Sequence, residues 1–229
     1  MEELQLFYEN ELGGKGFYYL LHQKVKTSPK LFNTNMVLAK INPVESSLNL
    51  DNAIVTRGDV RIDMPILLGN VNANFRVLIL GLEPRYTDDF YNIMKLENRV
   101  FATPFGIDRW FSESKQSIYA TAFEEFLSNE RLFLFSDFVK EYGVFEPGKK
   151  NLNDKNARES FKILFESKYK SILESEIEIF SPNIIIALGK TDISKKIPQS
   201  WLDKHNVHIV SHPINGNFNR MKASMRAIL

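Results

Sequence analysis

The chain has 229 residues, 44% hydrophobic and 25% charged, with a formal net charge of +1. It is long enough to bury a sizeable core, and its charge balance demands no nucleic acid, membrane or acidic partner, although a small basic face can sit inside a balanced total. With 0 Cys, disulfides, thiolate zinc sites, cysteine-bound iron–sulfur clusters and Cys nucleophiles are excluded.

The opening MEELQLFYENELGGKG carries acidic groups where a signal peptide needs positive charge and an apolar run. No apolar stretch reaches the roughly 18–20 residues of a membrane-spanning helix, so the expectation is a cytoplasmic protein, and a monomer. Residues 3–25 read as helical pieces interrupted at Gly13-Gly14. Residues 26–75 are rich in Asn, Pro and Ser, with short β-like runs in AIVTRGDVRI and MPILLG. The pattern then becomes regular. We therefore divide the chain into an N-terminal extension, residues 1–70, packed on a main domain of residues 71–229.

Four short apolar runs in that domain each meet a polar cluster. FRVLILG leads into Glu83-Pro84, RLFLFSDF carries Ser136-Asp137, NIIIALG leads into Lys190-Thr191, and VHIVS runs into His212-Pro213. Short continuous apolar runs bounded by turn signals predict strands buried on both faces. YATAFEEFLSNE predicts a helix before the second strand, and KTDISKKI one after the third. A longer helix is predicted between those strands. Phe161, Leu164, Phe165, Tyr169, Ile172, Leu173, Ile177 and Phe180 fall at steps of three or four, forming one apolar stripe. Asn156 with Glu159 is a start signal, and Ser181-Pro182 a stop. Strands alternating with helices imply βαβ units, hence a three-layer α/β/α fold around a mostly parallel sheet of about four strands. In such sheets ligands bind outside the carboxyl ends of the strands. The four polar clusters are expected to converge there.

The order of these clusters resembles the uracil-DNA glycosylase superfamily. Gly81-Leu82-Glu83-Pro84 matches the family's G-x-[D/E/N/A]-P, and Asp137 stands where a strand bears an Asn. FSPNIIIALGKT is similar to the family's A-L-G strand and helix, and His212-Pro213-Ile214 to its H-P-S. VFATPFGIDRWF is similar to a signature of the mismatch-specific branch, in which a Phe at the place of Phe101 stacks on the extruded base. The resemblance covers roughly residues 70–220. It implies a metal-free, cofactor-free DNA glycosylase that hydrolyses an N-glycosidic bond. Glu83 would stabilise the sugar cation or orient water, and His212 would stabilise the departing base. Gly81, Leu82, Pro84, Phe101 and Asp137 would line the base site. Arg85, Gly189, Lys190, Thr191, Ser211 and Arg220 would meet phosphate.

The chain also departs from the family pattern. Glu83 is one methylene longer than the Asp of the acid-bearing branch, an ionised Asp137 cannot donate as Asn does, and Gly216 takes the place of a wedging Leu. A protonated Asp137, or one facing an exocyclic amine, would read a base other than uracil. The competing reading is a non-catalytic module that keeps the crevice to bind a nucleobase, nucleotide or protein. Each residue also has a plainer role open to it. Glu83 is suited to capping a helix, His212 to holding a turn, Phe101 to the core, and Asp137 to capping the turn that follows it. A triphosphatase is disfavoured because position 184 is Ile where a phosphate loop needs Gly. No zinc-binding His pattern, nucleophile elbow or dinucleotide fingerprint occurs.

Overall fold

The four apolar runs form strands where the pattern puts them, and a fifth joins them from the extension. The computed structural model describes residues 2–8, 60–63, 65–70, 72–82, 94–96, 99–102, 104–109, 118–128, 130–143, 161–163, 165–214 and 216–229. The chain begins with α1 (Glu2–Tyr8), β1 (Val60–Asp63), β2 (Ile66–Gly69) and β3 (Phe75–Gly81). Next come β4 (Met94–Leu96), β5 (Arg99–Ala102), a kinked pair of 3₁₀ turns (Pro104–Arg109), α2 (Ile118–Phe123), β6 (Arg131–Asp137) and β7 (Glu141–Gly143). A π turn (Phe165–Tyr169) then runs into α3 (Lys170–Phe180), followed by β8 (Ile184–Leu188) and α4 (Lys190–Lys196). The last elements are α5 (Gln199–Lys204), β9 (Val207–Val210) and α6 (Phe218–Ile228).

The main sheet has the order β2-β6-β3-β8-β9. Its last four strands are mutually parallel, and β2 runs antiparallel along β6. β2 comes from the MPILLG run, so the extension drawn to residue 70 includes an edge strand of this sheet. A smaller sheet, β4-β5-β1-β7, pairs β1 parallel to β5 and antiparallel to β7.

Successive side chains on a strand point to opposite faces, so a strand that is apolar at every position must be covered on both. Leu78 and Leu80 of β3 share a core with Tyr169 before α3, Leu173 of α3 and Trp201 of α5. Val77 and Ile79 share another with Phe123 of α2 and Met221 and Met225 of α6. The result is an α/β fold with helices on both faces of a mostly parallel sheet. Val77 through Leu80 are each 0% exposed, and each such side chain contributes about 1.5–3 kcal/mol by leaving water.

Of the expected long helix, residues 161–163 and 165–180 are helical; Asn156, Glu159 and Leu164 lie outside the described residues. Phe161, Phe165, Tyr169, Ile172, Leu173 and Phe180 are buried along its stripe. Ser181 ends α3 in the left-handed region at φ 48, its N–H donating to Ile177 O. The Arg76 guanidinium donates to Phe180 O at 2.9 Å, and Arg76 N–H to Asn183 Oδ1 at 2.7 Å. A cation on the terminal carbonyls is favourable for a helix, and here it ties the end of α3 to the start of β3. Among the described residues no helix is long and apolar enough to cross a membrane.

Candidate functional site

In chain order the four parallel strands β3, β6, β8 and β9 lie in the spatial order β6-β3-β8-β9. The chain therefore moves outward to one side of β3 and returns to the other, and a crevice opens at such a switch point beyond the strand ends. Gly81 closes β3 at that edge, and Gly189 follows β8.

Gly81 stands opposite Asp137 in the β3–β6 register. A Cβ on Gly81 would fall 2.0 Å from Asp137 Oδ1 and 3.0 Å from Phe105 Cζ. Glycine is what lets a carboxylate and an aromatic ring meet over bare backbone. The pairing continues past the strand end, with Phe138 N–H donating to Gly81 O at 2.9 Å and Val139 N–H to Leu82 O at 3.2 Å. Asp137 is held in this way at only 3% exposure, and Leu82 is at 9%.

Phe105 reaches the site through an uncommon backbone. It has φ 57 and ψ 13, and Gly106 follows at φ 63. A bulky residue in the left-handed region costs about 1–3 kcal/mol and persists where surrounding packing imposes it. Here the ring is caged by Tyr119 at 5.2 Å and by the edge of Phe135 at 6.1 Å. Tyr119 in turn meets His212, with Oη 2.9 Å from Nε2 and the rings perpendicular at 5.3 Å. The Tyr119 hydroxyl either donates to a bare Nε2 or accepts from a protonated one; in both cases it orients the imidazole. A continuous row thus runs along the sheet edge, from Asp137 over Gly81 to Phe105, Tyr119 and His212.

Of the residues singled out in the sequence, Gly81, Asp137 and His212 belong to this row. Glu83, Pro84 and Arg85 lie outside the described residues. Phe101 lies on β5 of the smaller sheet, opposite Ile62 and Met94; the aromatic ring against Gly81 is that of Phe105. Gly189 precedes α4 at φ 115, and its N–H donates to Val210 O at 2.9 Å, joining the ends of β8 and β9. Lys190, Thr191 and Arg220 are exposed, and Ser211 is half-buried. Phe105 and Tyr119 were missed by the sequence reading. Their traces were a Phe-Gly pair inside TPFGIDRW and a Tyr near the start of an otherwise apolar helix face.

Away from this row, ion pairs and burial displace several pKa values. The Arg226 guanidinium, with Lys222, holds Glu125 below the usual carboxylate range. Lys204 does the same for Glu174, and burial pushes His205 down. Among the described residues no group of three or more His, Asp or Glu side chains is arranged to hold a metal ion. No protein-family model matches the chain, and no curated protein matches it.

Proposed function

We propose that the chain is a DNA base-excision glycosylase of the uracil-DNA glycosylase type, acting without a metal on an extruded damaged or mismatched base. The observation that carries this reading is the row at the carboxyl edge of the sheet, where an acceptor, an aromatic ring and an oriented imidazole stand together. Glycosidic cleavage builds positive charge on the sugar and negative charge on the departing base. His212, steadied by Tyr119, is suited to the base. Glu83, two residues beyond Gly81, takes the sugar side by the family resemblance. Phe105, rather than Phe101, takes the stacking role. An ionised Asp137 only accepts hydrogen bonds, so it suits a base edge that donates, as the exocyclic amines of adenine, cytosine and guanine do. Extrusion costs a few kcal/mol and favours mismatched, damaged or single-stranded targets. The exposed Lys190, Thr191 and Arg220 would meet the backbone, with Arg85, Gly189 and Ser211, and would position without specifying sequence.

One observation favours the second reading, a non-catalytic module. Asp137 is 3% exposed, and the Phe105 ring packs onto Gly81, so the Asp137 end of the described crevice is covered. Labelled oligonucleotides carrying uracil, hypoxanthine, xanthine or a T:G mismatch, single- and double-stranded, separate the two. They are incubated with wild type and Glu83→Gln, treated with alkali and examined for breaks at the lesion. Breaks that depend on Glu83 support the glycosylase and name its base. No break on any substrate leaves the binding module.

A further inference from the structure

Behind the Asp137 edge, on the opposite face of the sheet, lies a fully buried polar cluster. Ser136, Lys140 and Glu176 are each 0% exposed and Tyr8 is 1% exposed. Ser136 precedes Asp137 on β6, so the two side chains point to opposite faces. Ser136 Oγ donates to Glu176 Oε1 at 2.7 Å. Lys140 Nζ donates to Asp137 O at 2.7 Å, lies 3.2 Å from Glu176 Oε2, and also donates to Ser136 Oγ. The hydroxyl of Tyr8, from α1, donates to Glu176 Oε1. An ammonium has three donors, and here they go to three different partners.

A Ser beside a Lys is a nucleophile beside a base, but both side chains are sealed from solvent, so no substrate reaches them. Stability does not call for the pair either. Well-packed apolar residues of similar volume commonly hold a fold as well as a buried ion pair does. What apolar residues cannot do is grip the carbonyl of Asp137. Resting on the proposed glycosylase reading, we infer that Lys140, Glu176 and Tyr8 are positioning residues for Asp137, a clamp that reaches through the sheet and is closed by α1.

The test is Lys140→Met/Glu176→Leu, which removes both charges together. Amide hydrogen exchange is read in the whole protein, alongside kcat and KM on whichever lesion wild type accepts. The Phe138 and Val139 amides, which pin the end of β6 to Gly81 and Leu82, are expected to lose about tenfold in protection. The Leu78 and Leu134 amides, inside the strands, keep theirs. Cleavage is expected to lose about tenfold in kcat with KM unchanged. A structural role alone would lower all four amides together, and that result, or unchanged Phe138 and Val139, overturns the clamp. Should the double variant not fold, Tyr8→Phe keeps the ion pair and is expected to lose about threefold protection at the same two amides; no change there likewise overturns it. If wild type cleaves no lesion, the glycosylase reading falls while the exchange result still decides the clamp.

Discussion

Substituting Gly81 by Ala tests the geometry at the centre of the site. The added methyl would begin 2.0 Å from Asp137 Oδ1 and 3.0 Å from Phe105 Cζ. Ordinary contact lies near 3.4 Å, so the carboxylate must retreat by about 1.4 Å, and a side chain at 3% exposure has little space to do so. Overpacking of this kind costs about 1–3 kcal/mol. Gly81 does not have a positive φ, so Ala also recovers about 0.4–1 kcal/mol by restricting the unfolded chain. The clash is the larger effect, and the net expectation is about 1–2 kcal/mol of destabilisation in urea unfolding. Removing the carboxylate removes the closer clash and leaves only the 3.0 Å approach of Phe105 Cζ, which offsets the entropic gain. In an Asp137→Ala background the same substitution should be close to neutral, giving a coupling of about 1–2 kcal/mol in a double-mutant cycle. A displacement on the order of 1 Å is also enough to lower cleavage by about 10²-fold. If Gly81→Ala costs the same in both backgrounds, or nothing in either, the approach of Asp137 to Gly81 is not what we describe.

Lys140→Met alone leaves Glu176 buried without its counter-charge and should cost about 3–5 kcal/mol in urea unfolding, most of it regained on adding Glu176→Leu; a single variant as stable as wild type would show that the charge is not confined. His212→Ala should slow lesion cleavage by about 10²–10³-fold, as loss of an oxyanion donor does. Tyr119→Phe, which removes only the hydroxyl on Nε2, should slow it by about tenfold, and equal effects would mean that the hydroxyl is the active partner. Phe105→Ala should weaken binding of a lesion-bearing oligonucleotide by about tenfold or more, with Phe101→Ala close to wild type; the reverse order would return the stacking role to Phe101. Burial, with Lys204 adding to it and Glu174 opposing, holds His205 below its usual range. The unfolded chain then takes up the proton first, so the stability His205 contributes is complete above about pH 6.5 and is lost as pH falls through its folded value. Urea midpoints measured from about pH 8 to about pH 5.5 should fall more steeply for wild type than for His205→Gln; parallel profiles would remove His205 from the pH dependence.

The parallel strands and the helix from Phe161 to Phe180 were legible because their signals are local. Every residue from Val77 to Leu80 is apolar, which suits a strand only when both faces are covered. The three- and four-residue steps from Phe161 to Phe180 define a stripe without reference to anything else in the chain. Because parallel strands present their ends at one edge, placing Gly81, Asp137 and His212 there required no further information. Neighbour choice was another matter. Nothing in FRVLILG says that β6 lies on one side and β8 on the other, or that MPILLG supplies an antiparallel fifth strand, since an apolar strand pairs as readily with one apolar neighbour as another. Glu176 sits four residues from both Ile172 and Phe180, squarely on the apolar stripe. Its burial becomes tolerable with Lys140, which is 36 positions away, Ser136, 40 positions away, and Tyr8, 168 positions away. Phe105 likewise meets Gly81 because the left-handed turn at Phe105-Gly106 aims the ring there. That aim depends on the cage of Phe135 and Tyr119, which forms only once β6 and α2 have packed. Local periodicity decided what each segment became, and the pairing of distant charges and rings decided what stands at the site.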